Sequence, residues 1–552
     1  MPNHPHKSTS PLTRRALLKN AAKAGFASAL APLTAEAARD AGAPRGVIAE
    51  ENRRPGTTDW QLTFVRSDKF RSAMIEGYCS HTSVRPGGSI EVFLSAQPAT
   101  DVTIDLYRIG YYGGKGGRHV ARLGPFPVTP QPTPPVGEHR LRECQWARAT
   151  TLAIPADWVS GVYLGKLSCA GHRYQSYIIF VVRDDRPADV LFQTSDTTWQ
   201  AYNKWPDTYS LYDSDAPVRP WNATTWVSYD RPYGWYPQVV SNALSQGSGE
   251  FLLWEFPLCF WLEQHGYDVT YSSNIDTHVD GGGLDRVKCF LSVAHDEYWS
   301  VAMYDRVHAA IQKGLNAAFL CGNSVFGVVP LEKKNHAGRP HRILYRQGLF
   351  GGARAAFGKE RWEQHGPDEG LLMGARTMQP ANGSAHWIVT NATHWIFAGT
   401  GMKNGDLIPG LVGWEHHGNP AKIPGLEVIA AGEALKASGD HSSYAATVYP
   451  GPKDNWVFNA ATIFWSMGLA QPPGLVPPYS HLGRPHGVDE RVQRITANFL
   501  KKCRINPAGL NRRGLQPPKS GLPPTSGLLG TLIGRPLADA QSACKPRKFT
   551  PE

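Results

Sequence analysis

The sequence predicts an α/β protein: an N-terminal antiparallel β-sandwich domain followed by a doubly wound α/β domain. Three observations carry this expectation. From about 58 to 184, branched and aromatic runs alternate with Gly/Pro turns and no helical pattern intervenes. From about 186, apolar strands alternate with segments of helical spacing, which implies a parallel sheet with helices on both faces. The length, 552 residues, exceeds what one ordinary core holds, so two or more domains are expected.

The elements follow in order. Residues 1–37 contain TRRALLK (13–19), a modestly apolar stretch and then Ala35-Glu36-Ala37, the order of a twin-arginine signal peptide with a small-residue cleavage site. Export through the twin-arginine route, to the periplasm or out of the cell, is therefore expected. Such a compartment permits disulfides. None of the eight cysteines is spaced as in a zinc site, and Cys259, Cys289 and Cys321 lie inside apolar runs, as core residues do. Residues 38–57, rich in Gly, Pro and charge, read as a linker. In the sandwich region 58–184, SIEVFLSA (89–96), DVTIDLYRIG (101–110), GVYLGKLSC (161–169) and QSYIIFVVR (175–183) read as strands. RPGG (85–88) and YYGGKGG (111–117) are turns between them.

The α/β region runs from 186 to 504. DVLFQTS (189–195) reads as a buried strand, and LLWEFPLCFWLEQHG (252–266) as a helix ending at a glycine. YDVTYSS (267–273), VKCFLSVAH (287–295) and NAAFLCGN (316–323) are further strands. SVAMYDRVHAAIQKG (300–314) is a helix with Ser300 as N-cap and Gly314 as C-cap. HWIFAGT (394–400), LEVIAAG (426–432) and NWVFNAA (455–461) read as later strands, and DERVQRITANFLKKC (489–503) as a closing helix. The tail, 505–552, is Pro/Gly-rich and basic, and is expected to be disordered.

The formal charge of +11 sits at the ends. Residues 1–37 hold five Lys/Arg against one Glu, and 505–552 hold seven against two acids. The body is nearly neutral, which argues against a nucleic-acid-binding surface. No later segment has the ~18 uncharged apolar residues that a membrane span requires.

In open parallel sheets, ligands sit beyond the carboxyl ends of the strands. The strand 189–195 leads into DTTWQAYNKW and SLYD (210–213), the strand 287–293 into AHDEYW, and the strand 316–321 into CGNS. Together they bring Tyr202, Tyr212, His295, Glu297, Cys321 and Asn323 toward one edge. If 295–297 is extended, His295 and Glu297 share a side while Asp296 and Tyr298 point away. Each residue also has a structural reading: Glu297 as a helix cap, His295 as a satisfied buried histidine, the tyrosines as packing, Asn323 as a turn residue. Convergence of His, Glu and Asn at consecutive strand ends favours a site.

TWQAYN, SLYD, SYDRPY (228–233), HDEYW and CGNS, with IEGYCSHTSVRPGGSIEVFLSA and DLYRIGYYGG upstream, resemble the N,N-dimethylformamidase beta (large) subunit-like family over about 60–505. The resemblance implies an α/β domain similar to class I glutamine amidotransferases and hydrolysis of a linear amide at a mononuclear Fe(III) centre. By motif, Tyr202, Tyr212 and Glu297 become the metal ligands. His295 becomes the proton-handling residue, Asn323 the polar partner of a small-molecule amide, and Glu415 of VGWEHHG (412–418) a further catalytic glutamate. The family's active-site lysine has no match here; Arg342 and Arg346 stand in the region concerned. A homo-oligomer and a small partner subunit are left open by this sequence.

The chemistry is consistent. A free phenol, with a pKa near ~10, is a poor ligand at neutral pH, but a hard trivalent cation displaces its proton. Three hard oxygen donors suit ferric iron better than zinc or copper. A bound metal acidifies water and polarises a carbonyl. Two alternatives stand beside this one: a hydrolase using Cys321 as nucleophile, and a non-catalytic exported protein whose many Trp bind carbohydrate or a cell surface.

Overall fold

The computed structural model describes residues 46–65, 70–215, 223–234, 246–351, 364–378, 380, 384–435, 439–475 and 487–508. The expected signal peptide, and the tail from 509 on, lie outside the described residues. The fold is mixed α/β.

The N-terminal region contains eight strands: β1 (Ile75–Cys79), β2 (Ser83–Val84), β3 (Ser89–Ala96), β4 (Thr100–Ile109), β5 (Gly117–Val128), β6 (Arg148–Ala153), β7 (Gly161–Cys169) and β8 (Ser176–Val182). They form a three-stranded sheet, β1-β3-β6, and a five-stranded sheet, β2-β8-β7-β4-β5. Ile90, Val92 and Leu94 of the smaller sheet share a buried cluster with Ile104, Leu106, Tyr163, Ile178 and Phe180 of the larger. The alternate residues of the larger sheet, Tyr107, Ile109, Val162, Leu164, Ile179 and Val181, belong to a second cluster with the following α/β region. The five-stranded sheet is thus covered on both faces. That is why SYIIFVV is apolar throughout instead of alternating.

The second region holds a seven-stranded sheet. Its members are β9 (Ala188–Thr194), β10 (Val269–Ser273), β11 (Val287–Ala294), β12 (Asn316–Cys321), β13 (Glu427–Leu435), β14 (His441–Pro450) and β15 (Trp456–Asn459). The order is β10-β9-β11-β12-β15-β14-β13. The first five run parallel, and β14 and β13 pair antiparallel at one end. The helices are α1 (Asp196–Tyr202), α2 (Phe256–Gln264), α3 (Asn274–Asp280), α4 (Val301–Lys313) and α5 (Glu490–Lys502).

Strand alternation assigns these helices to faces. Val190, Phe192, Leu291 and Ala318 cluster with Leu258, Trp261 and Leu262 of α2 and with Val492, Ile495 and Phe499 of α5. The intervening Leu191, Phe290, Ala317 and Phe319 cluster with Met303, Val307 and Ile311 of α4. Helices therefore cover both faces of the parallel strands.

Helix ends follow local chemistry. Ser300 caps α4, its hydroxyl accepting from Met303 N at 3.1 Å, and Gly314 closes the helix in the left-handed conformation. Asp489 caps α5 in the same way.

Three expectations need correction. HWIFAGT is no strand: Trp395–Phe397 form a 3₁₀ turn whose first N–H groups are capped by His394. The aromatic run misleads because its side chains pack on a turn. The helix expected from 252 begins as a π-helical turn, Phe251–Glu255, and becomes α-helical at Phe256, next to Pro257. Within the expected linker 38–57, Val47–Glu51 form a short helix that buries Ile48.

Candidate metal centre

The parallel order reverses at β9. The chain passes from β9 to β10 on one side and then, through α3, to β11 on the other. In such sheets a crevice opens at the carboxyl ends where the order reverses. Here α1 leaves the end of β9, and the HDEYW segment leaves the end of β11.

Side chains of α1 fix that segment. Thr198 Oγ1 accepts from the Glu297 and Tyr298 amides at 2.9 and 3.3 Å, and Thr197 Oγ1 donates to Tyr298 O at 2.6 Å. Asp296 turns away from the centre, as expected, and accepts from Gln193, Ser292 and Asn274 at 2.8, 2.8 and 3.0 Å. Burial raises its carboxyl to about 6, although these bonds pull the other way.

The first group of oxygens lies on Tyr202, Tyr212 and Glu297. Tyr202 is the last residue of α1, and its hydroxyl donates to Glu297 Oε2 at 2.6 Å. Tyr212 sits in the SLYD turn, which is held by Asp213 accepting from Ser210 N and Oγ at 2.8 and 2.6 Å. The Tyr212 hydroxyl lies 2.8 Å from that of Tyr202 and 3.0 Å from Glu297 Oε1. The two rings stack, with centroids 4.7 Å apart. Burial, then the Glu297 charge, push both phenols well above their ordinary value.

The second group surrounds His295, which is 1% exposed. Nδ1 lies 2.9 Å from Glu250 Oε2, while Nε2 lies 3.0 Å from Glu415 Oε2 and 3.4 Å from Glu297 Oε2. Burial alone would lower the imidazole, but Glu415 and Glu250 hold it well above its usual range. Burial raises Glu250 and Glu415 against the pull of His295. His295, Glu297 and Glu415 can hold a metal, since their ligand atoms all lie within 4.8 Å of one another. His295 Nε2, Glu415 Oε2, Glu250 Oε1 and Asn323 Oδ1 are buried without a well-directed hydrogen bond. Atoms of this kind occur elsewhere in the core too, but here four of them stand together where one ligand or ion would meet them all.

Asn323 reaches the centre because of Gly322. A Cβ at 322 would lie 2.2 Å from the Glu415 carbonyl oxygen and 2.7 Å from Ile463 N, so only glycine admits this crossing of backbones. The crossing brings Glu415 against the end of β12, and Asn323 itself adopts φ 57°.

All six expected residues, Tyr202, Tyr212, His295, Glu297, Asn323 and Glu415, therefore meet at one end of the sheet. Tyr298 corrects the expectation that it points away. Ala294 adopts φ 55°, which ends the extended run before His295, and the long Tyr298 side chain still reaches the Tyr212 hydroxyl. The Tyr298 hydroxyl donates to that of Tyr212 at 2.6 Å. Arg346 donates to Tyr298 at 2.7 Å, and Arg342 instead pairs with Asp230 at 2.6 Å. Glu250 was not anticipated either. Its signal was an acid directly before the apolar run FLLW (251–254).

Cys321 is fully buried, with its hydroxyl neighbour Ser292 at 3.6 Å, and burial pushes its thiol up to about 12. That is the environment of an inert structural cysteine, not of an activated nucleophile. A second cluster, Glu143, Asp230 and His336, also has metal-like spacing. There Asp230 is already engaged by Arg342 and Asn335, which identifies a structural ion pair.

The donor spacing fits one ion. Adjacent ligands of an octahedral cation with bonds of ~2.0–2.1 Å sit about 2.9 Å apart. The Tyr202 and Tyr212 hydroxyls lie 2.8 Å apart, and each lies on a different Glu297 oxygen, Oε2 at 2.6 Å and Oε1 at 3.0 Å, close to that separation.

An α/β fold with a buried oxygen-rich donor cluster at its topological switch point defines a class, and comparison with known families narrows it. The chain belongs to the N,N-dimethylformamidase beta subunit-like, C-terminal family, whose model matches residues 103–480. No curated protein matches the chain.

Proposed function

We propose that the protein is an exported hydrolase of linear amides that uses a mononuclear ferric ion held by Tyr202, Tyr212 and Glu297. The observation that carries this reading is the spacing of these three donors, 2.6–3.0 Å between their oxygens. Family membership supports the amide chemistry and a partner subunit. The two-sheet N-terminal region reads as a β-sandwich, and the α/β region as a relative of class I glutamine amidotransferases. Export rests on the N-terminal arginine pair and the cleavage site.

Charge supports a trivalent ion. Glu250, Glu297 and Glu415 bring three carboxyl groups into the core beside His295 and Arg346. An ion of charge three that displaces two phenol protons adds one net positive charge beside these acids. The bound metal supplies a Lewis acid for the amide carbonyl and acidifies water.

The protein's own groups do the rest. Glu250 accepts from Nδ1 of His295 and so fixes the ring with Nε2 toward Glu415 and Glu297. Nε2 is then the atom that hands a proton to the leaving amine. Glu415, 3.0 Å away, stabilises the protonated ring, and the ring regains its proton from the water consumed. Asn323 directs a buried polar atom into the same space, and its amide presents either end to the substrate. Near-complete burial of these groups keeps bulk water out and suits a small substrate.

Metal analysis and visible spectroscopy of protein purified without chelator test this reading. Wild type should carry one iron and a phenolate-to-iron absorption band, Tyr202→Phe should weaken the band to the share that Tyr212 supplies, and small linear amides should be hydrolysed by the wild type alone. Colourless, metal-free protein that still hydrolyses amides would exclude it.

A further inference from the structure

We propose that Tyr298 and Arg346 form a hydrogen-bonded chain that tunes Tyr212 as a ligand, a positioning role outside the donor set. The inference rests on the ferric reading above.

The geometry orders the protons. A tyrosine hydroxyl has one hydrogen. Arg346, which has no acceptor, donates to the Tyr298 oxygen at 2.7 Å. Tyr298 then spends its single hydrogen on the Tyr212 oxygen, 2.6 Å away. Tyr298 is fully buried, so water does not compete for that bond. The guanidinium carbon of Arg346 also lies 4.5 Å from the Tyr212 ring centroid and 5.6 Å from that of Tyr298. A cation at this range interacts with the ring electrons directly.

The arrangement suits an anionic Tyr212 better than a neutral one. When an ion takes the place of the Tyr212 proton, the phenolate oxygen accepts the Tyr298 hydrogen more strongly, as charge-assisted bonds do. Arg346 polarises that hydrogen further. Both effects lower the energy of the phenolate electron pair, and with it the donation of Tyr212 to the metal. Partners of metal ligands commonly set ligand strength in this way. The chain reaches the Tyr212 oxygen through the Tyr298 hydroxyl, so removing that one atom tests it.

The test compares full-length, iron-loaded wild type with Tyr298→Phe, Arg346→Gln and Arg346→Lys. The readouts are the phenolate-to-iron band and the release of iron to a chelator. Tyr298→Phe keeps the ring and removes only the donor. Its band should move to longer wavelength, and its iron affinity should fall about 10–100-fold, because the lost hydrogen bond no longer stabilises the anionic oxygen that the ion requires. Arg346→Gln should move the band the same way by less, and Arg346→Lys should restore part of the shift. A band at the wild-type position in Tyr298→Phe, with iron held as tightly, overturns the proposal while leaving the ferric reading intact. Wild type with neither band nor iron overturns both.

Discussion

Arg108 and His295 both lie in the core among carboxylates, yet their surroundings are built on opposite plans. Arg108 and Glu263 are each 0% exposed and pair end to end at 2.8 and 3.0 Å. The other Arg108 donors reach Ser160 O and the Tyr112 hydroxyl, and the Glu263 oxygens also accept from Tyr271 at 2.7 Å and Asn52 at 2.8 Å. Every group of that ion pair is used, and the pair ties β4 to α2. Around His295 the carboxylates outnumber the imidazole, and several polar atoms lack directed partners. Burial of charge is common to both clusters. Incomplete satisfaction is what separates a functional cluster from a structural one.

Breaking the satisfied pair should have the largest effect on folding. Glu263→Ala leaves Arg108 buried and unpaired, and should lose about 3–5 kcal/mol in a denaturant titration. The iron content of the molecules that remain folded should not change. Replacing both Arg108 and Glu263 with Met should be milder than Glu263→Ala alone. Gly110→Ala tests the same pair by crowding, since a Cβ there would lie 2.1 Å from Glu263 Oε2. Its loss should be about 1–3 kcal/mol.

Glu297→Gln should do the reverse. Iron content should fall to background, while metal-free protein should unfold within about 1 kcal/mol of metal-free wild type, or later, because one carboxylate has left a crowded cluster. A collapse as large as that of Glu263→Ala would place both clusters in the same structural class.

A smaller effect tests whether acid destabilisation arises outside the centre. Burial holds the His265 imidazole down to about 4 from an ordinary 6.5. Between those values the unfolded chain binds the proton and the folded chain does not. The contribution of His265 is therefore complete above pH 6.5 and declines as the pH falls toward 4. His265→Gln should flatten the stability curve in that window and leave it unchanged at pH 8. The smallest effect should come from Arg504 and Asp454, paired at 3.1 Å and 84% and 77% exposed. Replacing either with Ala should change stability by less than about 0.5 kcal/mol.

Much of this was legible in the chain because local chemistry and tertiary position agreed. Ser300 and Gly314 bracket α4 since a hydroxyl caps amides and a glycine accepts the left-handed turn. Tyr202, Glu297 and Asn323 could be placed because three strands point at one edge. Other features were hidden for physical reasons. The contact of Tyr298 with Tyr212 joins residues from two separate loops, and the positive φ at Ala294 beside them has no sequence signal. Glu250 was masked by the Ser/Gly-rich SQGSGE, which reads as a loop. The partnership of Arg108 and Glu263 joins residues 155 apart. A charge inside DLYRIG and another inside FWLEQHG do announce buried ions, but nothing in either stretch says that they meet.

The π-helical turn Phe251–Glu255 has one more consequence. A wide turn of this kind carries one residue more than an α-helical turn would. Deleting a single residue there would let the segment rewind as an ordinary helix. Because the wide turn completes the same rotation with one residue more, Glu250 would keep its angle about the axis, whereas the same deletion inside α2 would turn it by about 100°. The turn thus acts as slack: it takes up one residue without displacing either the acid on one side or the packed face of α2 on the other.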